Sequence, residues 1–333
     1  MFNNLNIIFL IMTFLGSIIS ISSTNWFSTW LGLELNMLSF IPIMINNKNS
    51  LSTEASIKYF LIQASASSMF IFFCIINTYQ NFNYFYFMEM SNISFLIIPL
   101  MIKLGSAPFQ TWFISVMQSL NWYKCYLLMT MQKIIPLFLM NFMFIKYNFI
   151  MIFSILSILI GSIGGLNQIS LKKIMAFSSI NHLGWMLTIN ILNKYMCMMY
   201  FLMYMYINLF SLTFLNLNSI FSLNQNLPKF DLLSFKISIL SLGGLPPFLG
   251  FLPKWMIIQN LILNNYFFLT LILMMTTLIT LIYYMRLIIK MSIMNFSMQK
   301  WLISIFNMKM FMFKSILFIS TSSGLIFYNL ILF

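Results

Sequence analysis

Long apolar runs, separated by short polar segments, follow one another along the whole sequence. A helix that crosses a bilayer needs about 20 predominantly apolar residues, and about eleven runs approach or exceed this length. They cover residues 5–21, 26–45, 56–77, 91–120, 126–145, 149–168, 174–191, 196–220, 232–263, 266–289 and 312–333. The pattern predicts an all-α polytopic membrane protein of about eleven transmembrane helices, forming a single transmembrane domain over residues 1–333.

The fourth and ninth runs are too long for one span, and a similar motif interrupts each of them. Residues 105–109 read Gly-Ser-Ala-Pro-Phe, and residues 244–248 read Gly-Leu-Pro-Pro-Phe. Proline removes a helical hydrogen-bond donor, and irregular backbone is tolerated at membrane depth only where it is buried in protein or faces water. We therefore predict two discontinuous helices. Because the breaks lie an odd number of runs apart, the pattern favours inverted repeats, as in transporter cores, over two simple proline kinks.

Basic residues are distributed unequally between alternate loops. The loops on the side of the N-terminus hold Lys48, Lys124, Lys172, Lys173, Lys229, Lys290, Lys300 and Lys309, with Lys314 at a helix edge. The opposite loops hold Lys146 and Lys194. Because lysine-rich loops stay on the cytoplasmic or matrix side of a membrane, we predict the N-terminus on that side and the C-terminus on the other.

The composition excludes several classes of function. Charged residues make up 6% of the chain, against about 25% in a soluble domain. The net charge is +13, but the basic residues are spread between apolar runs and form no patch of the kind that binds nucleic acid. Three cysteines and one histidine form no recognisable ligand group for zinc, haem or an iron–sulfur cluster, so we expect no cofactor or metal in this chain.

Five ionisable side chains fall inside the predicted spans, and they are Glu34, Lys103, Lys133, His182 and Lys254. A charge at the bilayer centre costs from ~2.5 to more than ~10 kcal/mol, so each needs an explanation. The structural explanations are snorkelling for the lysines, a buried ion pair for Glu34 and a core hydrogen bond for His182. Snorkelling suits Arg286 near a span end, but Lys133 lies about eight residues, or ~12 Å, from the nearer end of its span.

Titratability favours a functional role for these groups. A buried lysine loses its proton readily and a buried glutamate retains one, so such pairs can relay protons near neutral pH. We predict that Glu34 lies within ion-pair distance of Lys103. Helical spacing also places Ser178 and Ser179 on the face of His182, where their hydroxyls would bridge a gap in the relay.

Several motifs, in order along the chain, carry a resemblance to a known family. They are residues 30–37 (WLGLELNM), 52–55 (STEA) with 58–60 (KYF), 103–105 (KLG) with 107–109 (APF), 132–133 (QK), 164–168 (GGLNQ) with 171, 178–180 (SSI) with 182, and 242–247 (LGGLPP) with 250–255 (GFLPKW). Over about residues 25–290 the sequence resembles the subunit 2 family of mitochondrial NADH:ubiquinone oxidoreductase (respiratory complex I), which is antiporter-like and pumps protons.

The resemblance implies a fold of two inverted five-helix repeats within eleven spans in the mitochondrial inner membrane. The N-terminus would face the matrix and the C-terminus the intermembrane space. It further implies a core membrane-arm subunit of an H+-translocating NADH:ubiquinone reductase, which contacts other membrane-arm subunits, accessory subunits and lipids but no nucleic acid. Electron transfer would take place in other subunits, where NADH, FMN, iron–sulfur clusters and ubiquinone are expected.

The resemblance also assigns roles. Glu34, Lys103, Lys133 and Lys254 match the family's buried midplane chain. In the mechanism that we expect, Glu34 would hold Lys103 protonated, Lys133 would be the central relay and Lys254 the exit or the link to the next subunit. His182 would help to bridge the gaps. A stand-alone cation/proton antiporter, a non-pumping structural subunit of the membrane arm and a paralogous antiporter-like subunit remain as alternatives.

Overall fold

The computed structural model describes residues 4–46, 49–82, 95–142, 147–223, 225 and 229–296, and within them the protein is helical apart from an isolated β-bridge between Ser170 and Ser222. The prediction of an all-α membrane protein is confirmed at this level. The predicted last span, 312–333, and the lysines Lys48, Lys146, Lys300, Lys309 and Lys314 lie outside the described residues.

Contacts divide the chain into two compact units, Met1–Ser157 and Ile158–Phe333. The helices of the first unit are α1 (Asn4–Ser22), α2 (Trp26–Met44), α3 (Ser50–Phe82), α4 (Ile97–Leu104), α5 (Thr111–Ser119), α6 (Trp122–Met129) and α7 (Met131–Phe142), and α8 (Tyr147–Gly164) crosses the division. Those of the second unit are α9 (Leu171–Leu192), α10 (Lys194–Leu217), α11 (Lys229–Gly243), α12 (Phe251–Leu263) and α13 (Phe267–Phe296).

In the first unit, small residues allow two helices to approach closely. A Cβ atom on Gly16 of α1 would lie 2.9 Å from the backbone nitrogen of Asn36, and one on Gly32 of α2 would lie 2.7 Å from the carbonyl oxygen of Gly16. Such contacts between small residues are typical of helix pairs in membranes. Helix α3 then packs against α2, α4 and α5, while α7 packs against α4.

In the second unit, α9 is buried along almost its whole length, including the side chains of Ser178, Asn181 and His182. It packs against α10 and α12, and α13 packs against α11 and α12. Because α9 is surrounded by protein, it can carry polar side chains that a lipid-facing helix cannot.

Five stretches of helix in the described residues are long and apolar enough to cross a membrane: Leu5–Ser22, Ser50–Thr78, Trp122–Phe142, Lys194–Leu217 and Phe267–Ile293. Helices α2 and α9, which have 19 and 22 residues, are not among them. These two helices carry Glu34 and His182 together with further polar side chains, which lower their apolarity.

The predicted ninth run, 232–263, is divided between α11 and α12, and the predicted fourth run, 91–120, contains α4 and α5. The predicted span 126–145 overlaps the stretch Trp122–Phe142, which the structure divides at one residue, since α6 ends at Met129 and α7 begins at Met131. Between them Thr130 has φ −115° and ψ −74°, a distorted right-handed conformation. Its backbone nitrogen and its hydroxyl both donate to the carbonyl of Tyr126, at 3.0 and 2.7 Å, so they cap α6.

Candidate functional site

The end of α4 forms the first helix break, and neutral side chains satisfy its carbonyl groups. Gly105 adopts a left-handed conformation with φ 66°, and its backbone nitrogen donates to the carbonyl of Ile102 at 3.1 Å. The indole nitrogen of Trp112 donates to the same carbonyl at 3.1 Å, and the amide nitrogen of Gln63 donates to the carbonyl of Lys103 at 3.3 Å. The break therefore leaves the ammonium group of Lys103 unused for capping.

The Lys103 side chain is only 6% exposed, and the nearby carboxylate of Glu34 acts on it electrostatically. The two groups do not lie within 4.0 Å of each other, so the predicted ion pair is not formed. Both α2, which carries Glu34, and α4, which carries Lys103, pack against α3. The attraction between the two side chains is correspondingly weaker than in a direct pair.

Lys133 lies in the first turn of α7 and is 1% exposed. Its ammonium nitrogen lies 4.7 Å from the centroid of the Phe113 ring, a cation–π arrangement. The same ring borders the first break, because a Cβ atom on Gly105 would lie 2.8 Å from the Cβ atom of Phe113. Phe113 thus connects the break that carries Lys103 with the helix that carries Lys133.

A chain of hydrogen bonds joins three helices beside Lys133. The hydroxyl of Tyr59 on α3 donates to the side-chain oxygen of Gln132 on α7 at 2.9 Å. The amide nitrogen of Gln132 donates to the side-chain oxygen of Asn36 on α2 at 3.0 Å. This chain fixes the start of α7, and therefore Lys133, relative to the helix that carries Glu34.

Lys254 lies on α12 and caps the second break, which follows α11. Its ammonium nitrogen donates to the carbonyl of Gly243 at 2.8 Å and, more weakly, to that of Leu242 at 3.4 Å. Gly244 has φ 75°, and a Cβ atom there would lie 2.9 Å from the ammonium nitrogen. Glycine is therefore required both by the backbone conformation and by the space that the lysine occupies.

His182 is buried in α9 and bonds to α10. Its Nδ1 atom lies 2.8 Å from the hydroxyl oxygen of Tyr200, and the Tyr204 ring lies 5.1 Å away between centroids. The hydroxyls of Ser178 and Ser179 donate to carbonyls three residues earlier in α9, and their predicted role beside His182 stays a prediction. Residues of this type commonly bond back to their own helix, which helical spacing alone does not reveal.

In the first unit Glu34 acts on Lys103 from beyond ion-pair distance, and Phe113 lies against both the break after Lys103 and the ammonium group of Lys133. In the second unit Lys254 lies 5.9 Å from the centroid of the Trp185 ring, one turn along α9 from His182. Within the described residues, no group of three or more His, Cys, Asp or Glu side chains could hold a metal ion.

Comparison with known proteins places these helices in one family. The sequence model of the family described as NADH:quinone oxidoreductase/Mrp antiporter, transmembrane, matches residues 23–280. NADH-ubiquinone oxidoreductase chain 2 of Anopheles gambiae is 46% identical over 334 aligned positions, which cover 98% of this chain and 97% of that protein.

Two solved structures share the fold at low sequence identity. A chain of respiratory complex I from Thermus thermophilus with bound aureothin has a TM-score of 0.78 at 21% identity, over 87% of this chain and 71% of that one. A chain of the Mrp complex from Dietzia sp. DQ12-45-1b has a TM-score of 0.76 at 14% identity, over 86% of this chain and 60% of that one.

Proposed function

Because the chain belongs to the family of NADH:quinone oxidoreductase and Mrp antiporter transmembrane subunits, we propose that it is a core membrane-arm subunit of respiratory complex I. It translocates protons across the mitochondrial inner membrane. Electron transfer from NADH to ubiquinone takes place in other subunits, which hold the FMN and the iron–sulfur clusters. The sequence similarity to NADH-ubiquinone oxidoreductase chain 2 favours this role over a stand-alone antiporter. The antiporter alternative is supported only by the shared fold.

The observation that carries the proposal is the burial of three lysines at helix ends. Lys103, Lys133 and Lys254 are 6%, 1% and 4% exposed. A purely structural subunit would be served as well by methionine or leucine at these positions, without the cost of removing an ammonium group from water. Burial disfavours the charged form of a lysine, so these side chains are suited to binding and releasing protons.

In the first unit, Glu34 stabilises the protonated form of Lys103 from beyond ion-pair distance. When a change in charge elsewhere in the complex weakens this attraction, Lys103 releases its proton toward Lys133, the central relay. Because neutral donors cap the first break, the loss of the Lys103 charge leaves that break intact.

In the second unit, the proton passes by way of His182 to Lys254, the exit. The imidazole of His182 can accept or donate at the nitrogen that faces away from Tyr200, while the hydrogen bond at Nδ1 holds the ring in place. A neutral Lys254 amine still has N–H groups to donate to the carbonyl of Gly243. The second break therefore stays capped in both protonation states of this lysine.

The arrangement of spans forms part of the proposal. Helices α4 and α5 belong to one discontinuous span and α11 and α12 to another, and the two are equivalent elements of inverted repeats within eleven spans. The N-terminus faces the matrix and the C-terminus the intermembrane space. Protease protection of tagged termini tests this orientation, and a C-terminus cleaved only from the matrix side would contradict it together with the odd number of spans.

The experiment that tests the function replaces Lys133 with methionine, which keeps the apolar stem and removes the titratable group. We expect the Lys133→Met complex to assemble, while NADH-driven proton uptake into proteoliposomes and coupled NADH oxidation fall at least tenfold. Lys58→Met is the matched control, since Lys58 is exposed and pairs with Glu54 at 2.5 Å. Normal pumping by an assembled Lys133→Met complex would instead identify a structural subunit.

A further inference from the structure

One side of α13 combines an exposed apolar stripe with two cations. Ile282, Met285, Ile289 and Ile293 recur every three or four residues and are between 42% and 63% exposed. Arg286 and Lys290, one turn apart, line the same groove of about 600 Å³ near the end of the helix. Apolar side chains beside a pair of cations match the two parts of a phospholipid, an acyl chain and a charged headgroup.

Arg286 is held in place by main-chain oxygens, which explains its position better than snorkelling. Its guanidinium group donates to the carbonyl of Leu166 and, at 3.0 Å, to that of Gln168, both in the loop after α8. The Nε atom is buried and has no hydrogen-bond partner. The loop therefore fixes a permanently charged guanidinium beside the groove.

The sequence around this groove is poor in acidic residues. The loop that Arg286 holds leads directly into α9, whose second and third residues are Lys172 and Lys173. Residues 158–296 contain a single acidic residue, Asp231, and the whole chain carries only four against 17 basic residues. So large an excess of cations over carboxylates attracts an anion from outside the chain.

We propose that this groove binds an anionic phospholipid. The phosphodiester lies against the ammonium group of Lys290 and close to the positive charge of Arg286, and an acyl chain lies along Ile282 and Met285. The chemistry favours an anionic headgroup over a zwitterionic one, whose own ammonium would meet two cations. This inference depends on the position of α13 in a membrane and is independent of the proton relay.

The test uses the purified assembled complex and two photoactivatable probes, phosphatidylglycerol and phosphatidylcholine, each with a diazirine in the same acyl chain. Mass spectrometry locates the labelled peptides. We expect phosphatidylglycerol to label residues 282–293 about fivefold more than phosphatidylcholine. Lys290→Gln should reduce this labelling about fivefold, as expected for the loss of one cation near the membrane surface.

Two control variants separate charge from structure. Lys290→Arg should retain the preference for phosphatidylglycerol, and Lys58→Gln, at an exposed lysine already paired with Glu54, should leave it unchanged. Equal labelling by the two lipids would overturn the proposal. So would lipid labelling no higher than background together with cross-links from 282–293 to another subunit or to residues 297–333, because protein would then fill the groove. If the Lys290→Gln complex fails to assemble, the proposal is tested by the ratio of phosphatidylglycerol labelling to phosphatidylcholine labelling on the unaltered complex.

Discussion

At the first helix break, neutral side chains cap the carbonyl groups of α4, whereas at the second an ammonium group caps those of α11. Both breaks contain a glycine with positive φ, Gly105 or Gly244, followed within three residues by proline. The donors at the first break are Trp112 and Gln63, and the donor at the second is Lys254. The two breaks share a similar backbone, but Lys103 makes no capping bond at the first, whereas Lys254 caps the second.

This difference separates two roles of a buried lysine, capping a helix break and binding or releasing a proton. Unpaired carbonyl groups at membrane depth are costly, so every break needs donors that remain in place. An indole and a primary amide cannot titrate near neutral pH, so the first break is insensitive to the protonation of Lys103. The second break requires Lys254 to be present, although not to be charged.

The largest expected effect is on stability, when each positive-φ glycine is replaced by alanine. A left-handed alanine costs about 1–2 kcal/mol at either site. At Gly105 the new methyl group also meets the Cβ atom of Phe113 at 2.8 Å, in a fully packed core, whereas at Gly244 it meets the flexible side chain of Lys254. We expect Gly105→Ala to destabilise the protein by about 3 kcal/mol and Gly244→Ala by about 2.

Thermal denaturation of the assembled complex, followed on native gels, measures this difference. Gly244→Ala should in addition impair pumping in the complexes that remain, since it displaces the ammonium group of Lys254. A greater loss of assembly in Gly244→Ala than in Gly105→Ala would show that the lysine side chain is held more rigidly than the aromatic core.

The sequence predicted the positions of both breaks because glycine and proline constrain the backbone locally. It did not predict which donors cap them, since Gln63 and Trp112 lie 40 and 10 residues from the carbonyls that they bond. It also missed the interruption at Thr130, where no glycine or proline marks the end of α6. Local backbone constraints can be predicted from a sequence, whereas hydrogen-bond partners that only folding brings together cannot.

The same limit applies to the candidate site. The burial of Lys103, Lys133 and Lys254 was predicted from their depth in apolar runs. The predicted ion pair of Glu34 with Lys103 is not formed, because the distance between side chains on different helices depends on how the helices pack. Gln132 and Asn36 stand within the motifs that carried the family resemblance, yet their mutual hydrogen bond forms only when folding brings these two distant residues together.

The second prediction compares methionine substitutions at the two breaks. Lys254→Met leaves the carbonyl of Gly243 without its donor, at a cost of about 1–3 kcal/mol that the removal of a buried charge offsets only in part. Lys103→Met removes no capping bond. We expect both variants to lose pumping, but only Lys254→Met to show a lower denaturation midpoint and a reduced yield of assembled complex. Equal stability of the two variants would mean that another donor caps α11.

The smallest expected effect concerns Tyr200, which holds His182 by a single neutral hydrogen bond rather than at a break. Tyr200→Phe removes the hydroxyl 2.8 Å from Nδ1 and keeps the ring. A net hydrogen bond contributes about 1 kcal/mol, so the population of correctly oriented imidazole, and with it the pumping rate, should fall about fivefold without loss of assembly. Because the two ring nitrogens then compete for the proton, the pH dependence of pumping should change as well.

Tyr204→Phe is the control, since the Tyr204 ring contacts the same imidazole and the substitution keeps that contact. If Tyr200→Phe and the unaltered protein pump at the same rate with the same pH profile, the hydroxyl does not position His182, and the second unit depends on Lys254 alone.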